Sequence, residues 1–435
     1  MTETDAVLEG QPPTIDSVKL SEVVFDEGVY PRIEGHDPQR VQAYARDLDQ
    51  IEAAQKFISI NADNILVDGR HRQLAYKKRA DGKEDPVIQV YRYPVVSPLE
   101  TLRLACRLQD LGMSLSDGDR VSSAKRLYAL GDQSQEAIGA MLGVSRQTIG
   151  KWLSRTLKEE KERLQDQALG LWMDCHSQQE IAEAVGKTQQ AVATWEEGFT
   201  KKLTERNFVN FDPPIYNVWK QQAKSDGPSH FGNSESRWLD NLVYLYTNPA
   251  DIVVDPFSGS GSTIDVCKKR GRRYMVSDRK PIVEREGEIR CHDLVNADGC
   301  VVPLKPPQWK DVRLVYLDPP YWKQAEGQYS DAATDLANMV LEQFNEALAG
   351  IIKTYASKIS DAHIAMIMQP TQWNAPGRQF TDHGCEMMRR VDLPVAQRIQ
   401  APYESQQCNA QMVEWAKANK QVLVLSREII IWRVE

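Results

Sequence analysis

The sequence predicts a multidomain chain: an α+β domain over 14–100, an all-α region over 101–202, and a doubly wound α/β domain over 203–435. Three observations predict it. The apolar run Leu314-Val315-Tyr316-Leu317 ends in Asp318-Pro319-Pro320-Tyr321-Trp322, and upstream Val253-Val254 ends in Asp255-Pro256-Phe257-Ser258-Gly259-Ser260-Gly261. Apolar strands that each end in a polar loop are what an open α/β sheet uses to hold ligands at its carboxyl edge. Segments 134–152 and 178–195 repeat one pattern of apolar residues around a turn glycine. The length of 435 residues suits about three domains.

Composition sets the limits. With 41% hydrophobic and 26% charged residues, the chain reads as globular, and no apolar run approaches the roughly 20 residues of a membrane span. The acidic start Met1-Thr2-Glu3-Thr4-Asp5 lacks the basic opening of a secretory signal. Seven cysteines without a Cys-x-x-Cys pair argue against a disulfide framework or a zinc cluster, so a reducing cytoplasm and no metal site are expected. A net charge of -8 excludes a basic coat, leaving any phosphate contact to local patches. One candidate is Lys268-Lys269-Arg270-Gly271-Arg272-Arg273, which reads equally as a solvated helix end.

In the first part, Ile65-Leu66-Val67 reads as a strand running into Asp68-Gly69-Arg70-His71-Arg72, a glycine turn opening a helix. Backbone N–H groups at a helix start, beside guanidinium groups, form a phosphate pocket. This segment resembles the ParB/sulfiredoxin-like domain, and Val29-Tyr30-Pro31-Arg32 fits that family's Pro-Arg element. The resemblance implies nucleotide binding at Gly69, Arg70, His71 and Arg72; the competing reading is a structural domain that dimerises or braces a DNA reader. Here the motif is Gly-Arg-His-Arg rather than Gly-Glu-Arg-Arg, and the sulfiredoxin cysteine is absent.

In the second part, Ile138, Leu142, Val144, Ile149 and Trp152 surround Gly143, and Gly139 sits where two helices would cross. Ile181, Ala182, Val185, Gly186, Val192 and Trp195 take corresponding places in the second copy. This is a tandem helix-turn-helix pattern. Arg146 and Gln147, with Gln189 and Gln190, would face base edges in the major groove of double-stranded DNA, and Lys151 a phosphate. The alternative is that one copy packs on a neighbouring domain and touches no DNA.

In the third part, Arg273-Tyr274-Met275-Val276-Ser277-Asp278 makes a second strand whose terminal carboxylate follows the glycine loop by about 20 residues, where it can accept from ribose hydroxyls. Gly259 and Gly261 let the backbone approach a ligand. Asp-Pro-Phe-x-Gly-x-Gly followed by Asp-Pro-Pro-Tyr resembles the amino-methylating DNA methyltransferases, with a Rossmann-like fold. The resemblance implies S-adenosyl-L-methionine held by Asp255, Pro256, Phe257, Gly259, Gly261, Asp278 and Asp293, with Asp298 competing for the last place. It also implies catalysis by Asp318, Pro319, Pro320 and Tyr321 on a base turned out of the duplex, with Asp at the head of the motif pointing to adenine N6. Trp322 either extends the base-stacking wall or packs in the core.

Phe211-Asp212-Pro213-Pro214-Ile215-Tyr216 is a decoy whose tyrosine is displaced by one residue. No large target-recognition insert separates the two hallmark loops, although Ala401–Lys420 could hold a small one, so target selection is expected from the helix-turn-helices. Deletion of 130–200 would then leave cofactor binding intact. Alternative readings are methylation of cytosine N4 or an RNA base, and a partition-type DNA-binding regulator with an inactive methyltransferase domain. A homodimer is compatible with the sequence.

Overall fold

The computed structural model describes residues 12–33, 35–82, 85–112, 115–131, 133–220, 235–291, 306–403 and 408–435. The chain divides into two compact units, 1–163 and 164–435, with the helix Arg146–Met173 contributing to each. Among the described residues no helix is long and apolar enough to cross a membrane.

The first unit opens with a four-stranded sheet of β1 (Thr14–Lys19), β2 (Ile58–Ile60), β3 (Leu66–Asp68) and β4 (Val87–Arg92), in the order β1-β4-β2-β3. Buried Ile58, Ile60, Leu66 and Val90 pack with Leu48 and Ala75. A second core, around Leu102, Leu127, Ile138, Leu142, Ile149 and Leu153, holds the following helices together. Arg126 donates to the carbonyls of Glu27, Tyr30 and Pro31, which fixes the Pro-Arg element noted in the sequence. The helix Gln135–Leu142 starts on a Ser134 cap and ends at Gly143, whose φ is 66°. A Cβ on Gly139 would lie 2.6 Å from the Val144 carbonyl oxygen, so only glycine allows the turn to close this tightly.

The second unit is built on β5 (Ile252–Asp255), β6 (Arg273–Asp278), β7 (Arg290–Cys291), β8 (Val312–Leu317), β9 (Ala362–Met368), β10 (Val395–Pro402) and β11 (Ser426–Val434). Their order is β10-β11-β9-β8-β5-β6-β7. The pairs among β5 to β9 are parallel, and β11 runs antiparallel to both β9 and β10. The strands read as continuous apolar runs because both faces are covered. Val253, Leu314, Tyr316, Ala365 and Ile367 face one way, against Trp238, Leu239 and Leu242. Ile252, Val254, Val315, Leu317 and Met366 face the other, against Phe344, Leu348 and Tyr355.

The second helix-turn-helix segment, Gln178–Val185 and Gln189–Glu205, belongs to this unit. Its Ile181, Val185, Val192, Phe199 and Leu203 share the first of those cores with the sheet, as do Leu169 and Trp172. Deletion of 130–200 would therefore cut into the second unit's core, contrary to the expectation that it spares cofactor binding. The basic run 268–273 is corrected in the same way. Arg270 forms a bidentate pair with Asp240 at 2.7 Å, buried Arg272 donates to Thr247 and Asn207, and buried Arg273 donates to the Trp172 carbonyl. These guanidinium groups secure the domain's entry segment instead of facing a phosphate.

His383 is fully buried, with Nε2 3.0 Å from Thr371 Oγ1 and its ring 5.2 Å from that of Phe344. Burial pushes its pKa down to about 4, against a smaller opposing pull from Asp382. Between about pH 6.5 and the folded value, the unfolded chain binds the extra proton and the folded chain does not. Stability is thus complete above the unfolded value and falls on acidification, by up to about 3 kcal/mol. A lower unfolding midpoint near pH 4.5 than at pH 7 is expected, with a smaller drop in His383→Gln.

Candidate active site

β5 and β8 are adjacent and parallel, so the loops that leave them emerge at the same edge of the sheet. β6 lies on the far side of β5, and β9 on the far side of β8, which makes the β5/β8 boundary the switch point where such sheets open a crevice. The glycine loop and the Asp-Pro-Pro-Tyr loop meet there.

At the end of β5, Asp255 is buried and accepts from Phe257 N at 2.9 Å and Thr263 Oγ1 at 2.5 Å. Burial pushes its pKa up to about 7; the two hydrogen bonds oppose that rise, and the nearby Asp318 and Asp278 carboxylates add to it. Asp255 therefore braces the loop from beneath. The Gly259 amide donates to Asp278 Oδ2 at 3.0 Å, which ties the loop to the end of β6. Gly259 and Gly261 have φ of 52° and 84°, and a Cβ on Gly261 would meet Arg285 Cδ at 2.9 Å. Arg285 is itself held by Asp265 at 2.7 and 2.8 Å. Pro256 is buried and Phe257 partly so. Among the described residues the buried Ser258 and Ser277 hydroxyls have no hydrogen-bond partner, which leaves bonding capacity unused at this end of the crevice. Asp293 and Asp298 lie outside the described residues.

At the end of β8, Asp318 is partly exposed, Pro319 is buried, and Pro320 and Tyr321 are partly buried. The Tyr321 hydroxyl donates to Asp318 Oδ1 at 3.3 Å. Burial holds that hydroxyl neutral, with Arg427 opposing and Asp318 reinforcing the shift. Trp322 belongs to the core: it is buried and its indole N–H donates to the Met339 carbonyl at 2.9 Å.

Two side chains here carried no signal in the sequence. Arg427, at the start of β11, has its Cζ 5.6 Å from the Tyr321 ring, 5.5 Å from Trp238 and 5.0 Å from Tyr403. Its Nε donates to the Tyr403 hydroxyl at 3.1 Å. Burial disfavours its charge, but Tyr321, Tyr403 and Asp318 outweigh that and keep it cationic. Tyr329 lies where burial and then the Asp318 and Asp278 carboxylates raise its pKa, so it sits beside both loops. On the methyltransferase reading that the sequence implies, removing the cation in Arg427→Met is expected to lower turnover about 10²-fold through loss of alignment, with cofactor affinity preserved. Single-turnover kinetics beside calorimetric titration with S-adenosylhomocysteine would check both.

Residues proposed to meet DNA or nucleotide stand on other elements of the chain. Arg146, Gln147 and Lys151 are exposed on the first turns of Arg146–Met173, with Arg146 paired to Glu136 at 2.9 Å. Gln189 and Gln190 are exposed at the start of their helix. In the Gly69 turn (φ 95°), Arg72 is committed to Asp68 at 2.7 Å and to the carbonyls of Lys56 and Phe57. Arg70 lies 3.6 Å over the Phe25 ring, and His71 Nε2 accepts from Asp37 N. All three side chains are engaged within the protein.

Residues 150–284 match the DNA methylase family N6_N4_Mtase. The match spans less than half of the chain, takes in the glycine loop and ends before Asp318. The chain is 31% identical over 64 residues to the Type II methyltransferase M.Cfr9I of Citrobacter freundii, covering 15% of this chain and 21% of that protein. It is 30% identical over 80 residues to the Type II methyltransferase M.BamHI of Bacillus amyloliquefaciens, covering 18% of each. The chain thus spans about a fifth of the length of these relatives. Together these similarities support an amino-methyltransferase domain. Among solved structures, the chromosome-partitioning protein ParB of Caulobacter crescentus, complexed to the centromeric parS site, aligns with a TM-score of 0.23 at 17% identity. That alignment covers 32% of this chain and 70% of ParB, too low a score to define a shared fold.

Proposed function

We propose that this chain is a DNA methyltransferase that moves a methyl group from S-adenosyl-L-methionine to the exocyclic N6 of an adenine turned out of duplex DNA. The observation that carries this reading is the shared edge: Asp255–Gly261 and Asp318–Tyr321 leave neighbouring parallel strands across the switch point. The crevice fits the cofactor on its own evidence, with two buried serine hydroxyls that no described residue satisfies and a carboxylate at the end of β6.

Phe257, Gly259, Gly261 and Asp278 would hold the cofactor, with Asp255 and buried Pro256 supporting the loop. When bound, S-adenosyl-L-methionine supplies an electrophilic sulfonium methyl. An exocyclic amino nitrogen is a poor nucleophile because its lone pair is delocalised into the ring. The Asp318 carboxylate and the Pro319 carbonyl accept its two N–H groups and favour a tetrahedral nitrogen. Pro319 and Pro320 stiffen the loop, so these acceptors are in place before the base arrives. Tyr321 offers a flat face to the base, and Arg427 steadies both Tyr321 and Asp318 from behind. Asp255 stays buried beneath the loop, its carboxyl group engaged by Phe257 N and Thr263 Oγ1.

Arg146, Gln147 and Lys151, with Gln189 and Gln190, are the proposed contacts to double-stranded DNA. A direct test incubates the full chain with methyl-labelled cofactor and duplex DNA or RNA, then digests and separates the nucleosides. Label in N6-methyladenine from DNA is expected. Label in N4-methylcytosine or in RNA selects the alternative enzyme, and no label with any substrate favours the DNA-binding regulator.

A further inference from the structure

The half of the sheet away from the cofactor loop carries a cavity of about 260 Å³ that the transfer chemistry does not use. It opens beyond the carboxyl end of β9, lined by Gln324, Gln369, Gln372, Trp373, Asn374 and Tyr403. Among the described residues its lining carries no carboxylate, ammonium or guanidinium group, so neither a phosphate nor an amine finds a counter-charge among them. Side-chain amides share the lining with apolar residues such as Met412 and Leu423, and an amide that donates and accepts at once matches the edge of a base. Gln372 is only 5% exposed, whereas Asn374 is exposed. A buried amide that lines a cavity can present both a donor and an acceptor to a base that enters it.

The wall is rigid. The Trp373 indole is braced by Arg378, 4.0 Å from its centroid, and by the edge of Trp415 at 5.7 Å. A fixed aromatic ring of this kind stacks bases. The volume admits a single flat ring system and is below the range of pockets for larger ligands.

The cavity is also wired to the transfer site. Tyr403 donates to Gln369 at 2.5 Å and accepts from Arg427, whose Cζ lies 5.6 Å from Tyr321. Gln324 bonds Thr371 at 3.1 Å, six residues beyond Asp318.

We propose that this cavity seats a second nucleobase of the bound DNA, next to the one that is methylated, so that the catalytic unit reads sequence by itself. The inference rests on the methyltransferase reading above. It moves part of target selection away from the helix-turn-helix residues.

Two measurements on the full chain test it, one independent of catalysis. With 5-fluorotryptophan incorporated and Trp373 assigned through Trp373→Phe, titration with single-stranded dA, dC, dG and dT homopolymers should move the Trp373 resonance for at least one base. No movement with any of the four overturns the proposal, whether or not the chain methylates DNA. Methylated contexts are then mapped for the unaltered chain, Asn374→Ala and Gln372→Leu. Discrimination at one position beside the methylated base should fall about tenfold or more in the variants. Unchanged discrimination at every position contradicts it. Duplexes with 2-aminopurine at the methylated position or at its neighbours separate the two sources of a base. A fluorescence change confined to the methylated position, and lost in Asn374→Ala, would make the cavity the seat of the target base and overturn the claim of a second one. If the resonance moves but no DNA is methylated, the base site stands and the transfer reading fails.

Discussion

Asp318→Ala is expected to lower methyl transfer by about three orders of magnitude while binding of S-adenosylhomocysteine is kept. The carboxylate stands at the end of β8, accepts from Tyr321 and faces the Arg427 cation. In the proposed reaction its role is to engage the amino group as charge develops on that nitrogen, an interaction stronger in the transition state than in the ground state. Removal of a transition-state hydrogen-bond partner costs about 10² to 10³ in rate, and the unbalanced Arg427 beside it adds to that loss. Asp318→Asn retains the shape and an acceptor oxygen, so a smaller loss is expected than in the alanine variant. Parallel single-turnover and calorimetric measurements would separate chemistry from binding. An equal loss of both would place Asp318 in cofactor binding instead.

Gly271→Ala is expected to destabilise the second unit by about 3 kcal/mol or more and lower its unfolding midpoint by about 10 °C. The residue closes the helix Ser262–Arg270 with φ 69°, a conformation that an L side chain rarely adopts. A Cβ there would lie 2.2 Å from the Leu203 carbonyl oxygen and 2.9 Å from its carbon. Both are backbone atoms, so relief requires moving the end of the helix Gln189–Glu205, whose Phe199 and Leu203 are buried in the sheet's core. Gly350→Ala is the matched control. That glycine lies exposed within the helix Leu341–Ala356 with nothing within 4 Å of the added carbon, and a gain of about 0.5–1 kcal/mol is expected. Thermal unfolding of the two variants should therefore shift in opposite directions.

The site's two loops were legible because each ends a strand buried on both faces, and such strands appear as unbroken apolar runs ahead of a polar loop. Gly139 was legible too, since a small residue at a helix crossing has one plain reason to be there. The pattern Ile181, Val185 and Val192 announces a buried face but not what covers it, and here the cover is the α/β sheet. The run Lys268–Arg273 announces charge, whereas the partners that turn its arginines inward, Asp240, Thr247, Asn207 and Trp172, come from distant positions. Arg427 and Tyr329 illustrate the same gap. Their neighbours are set by strand order and by the path of a loop, and neither has a spacing in the sequence.

The account stands or falls on whether one pocket, shared by the β5 and β8 loops, modifies DNA. Mapping modified bases across the genome of cells that express the chain or its Asp318→Ala variant tests this most directly. N6-methyladenine in a defined sequence context with the unaltered chain, and none with the variant, is the predicted result. An unmodified genome with the unaltered chain, or the same modification with both, would contradict it.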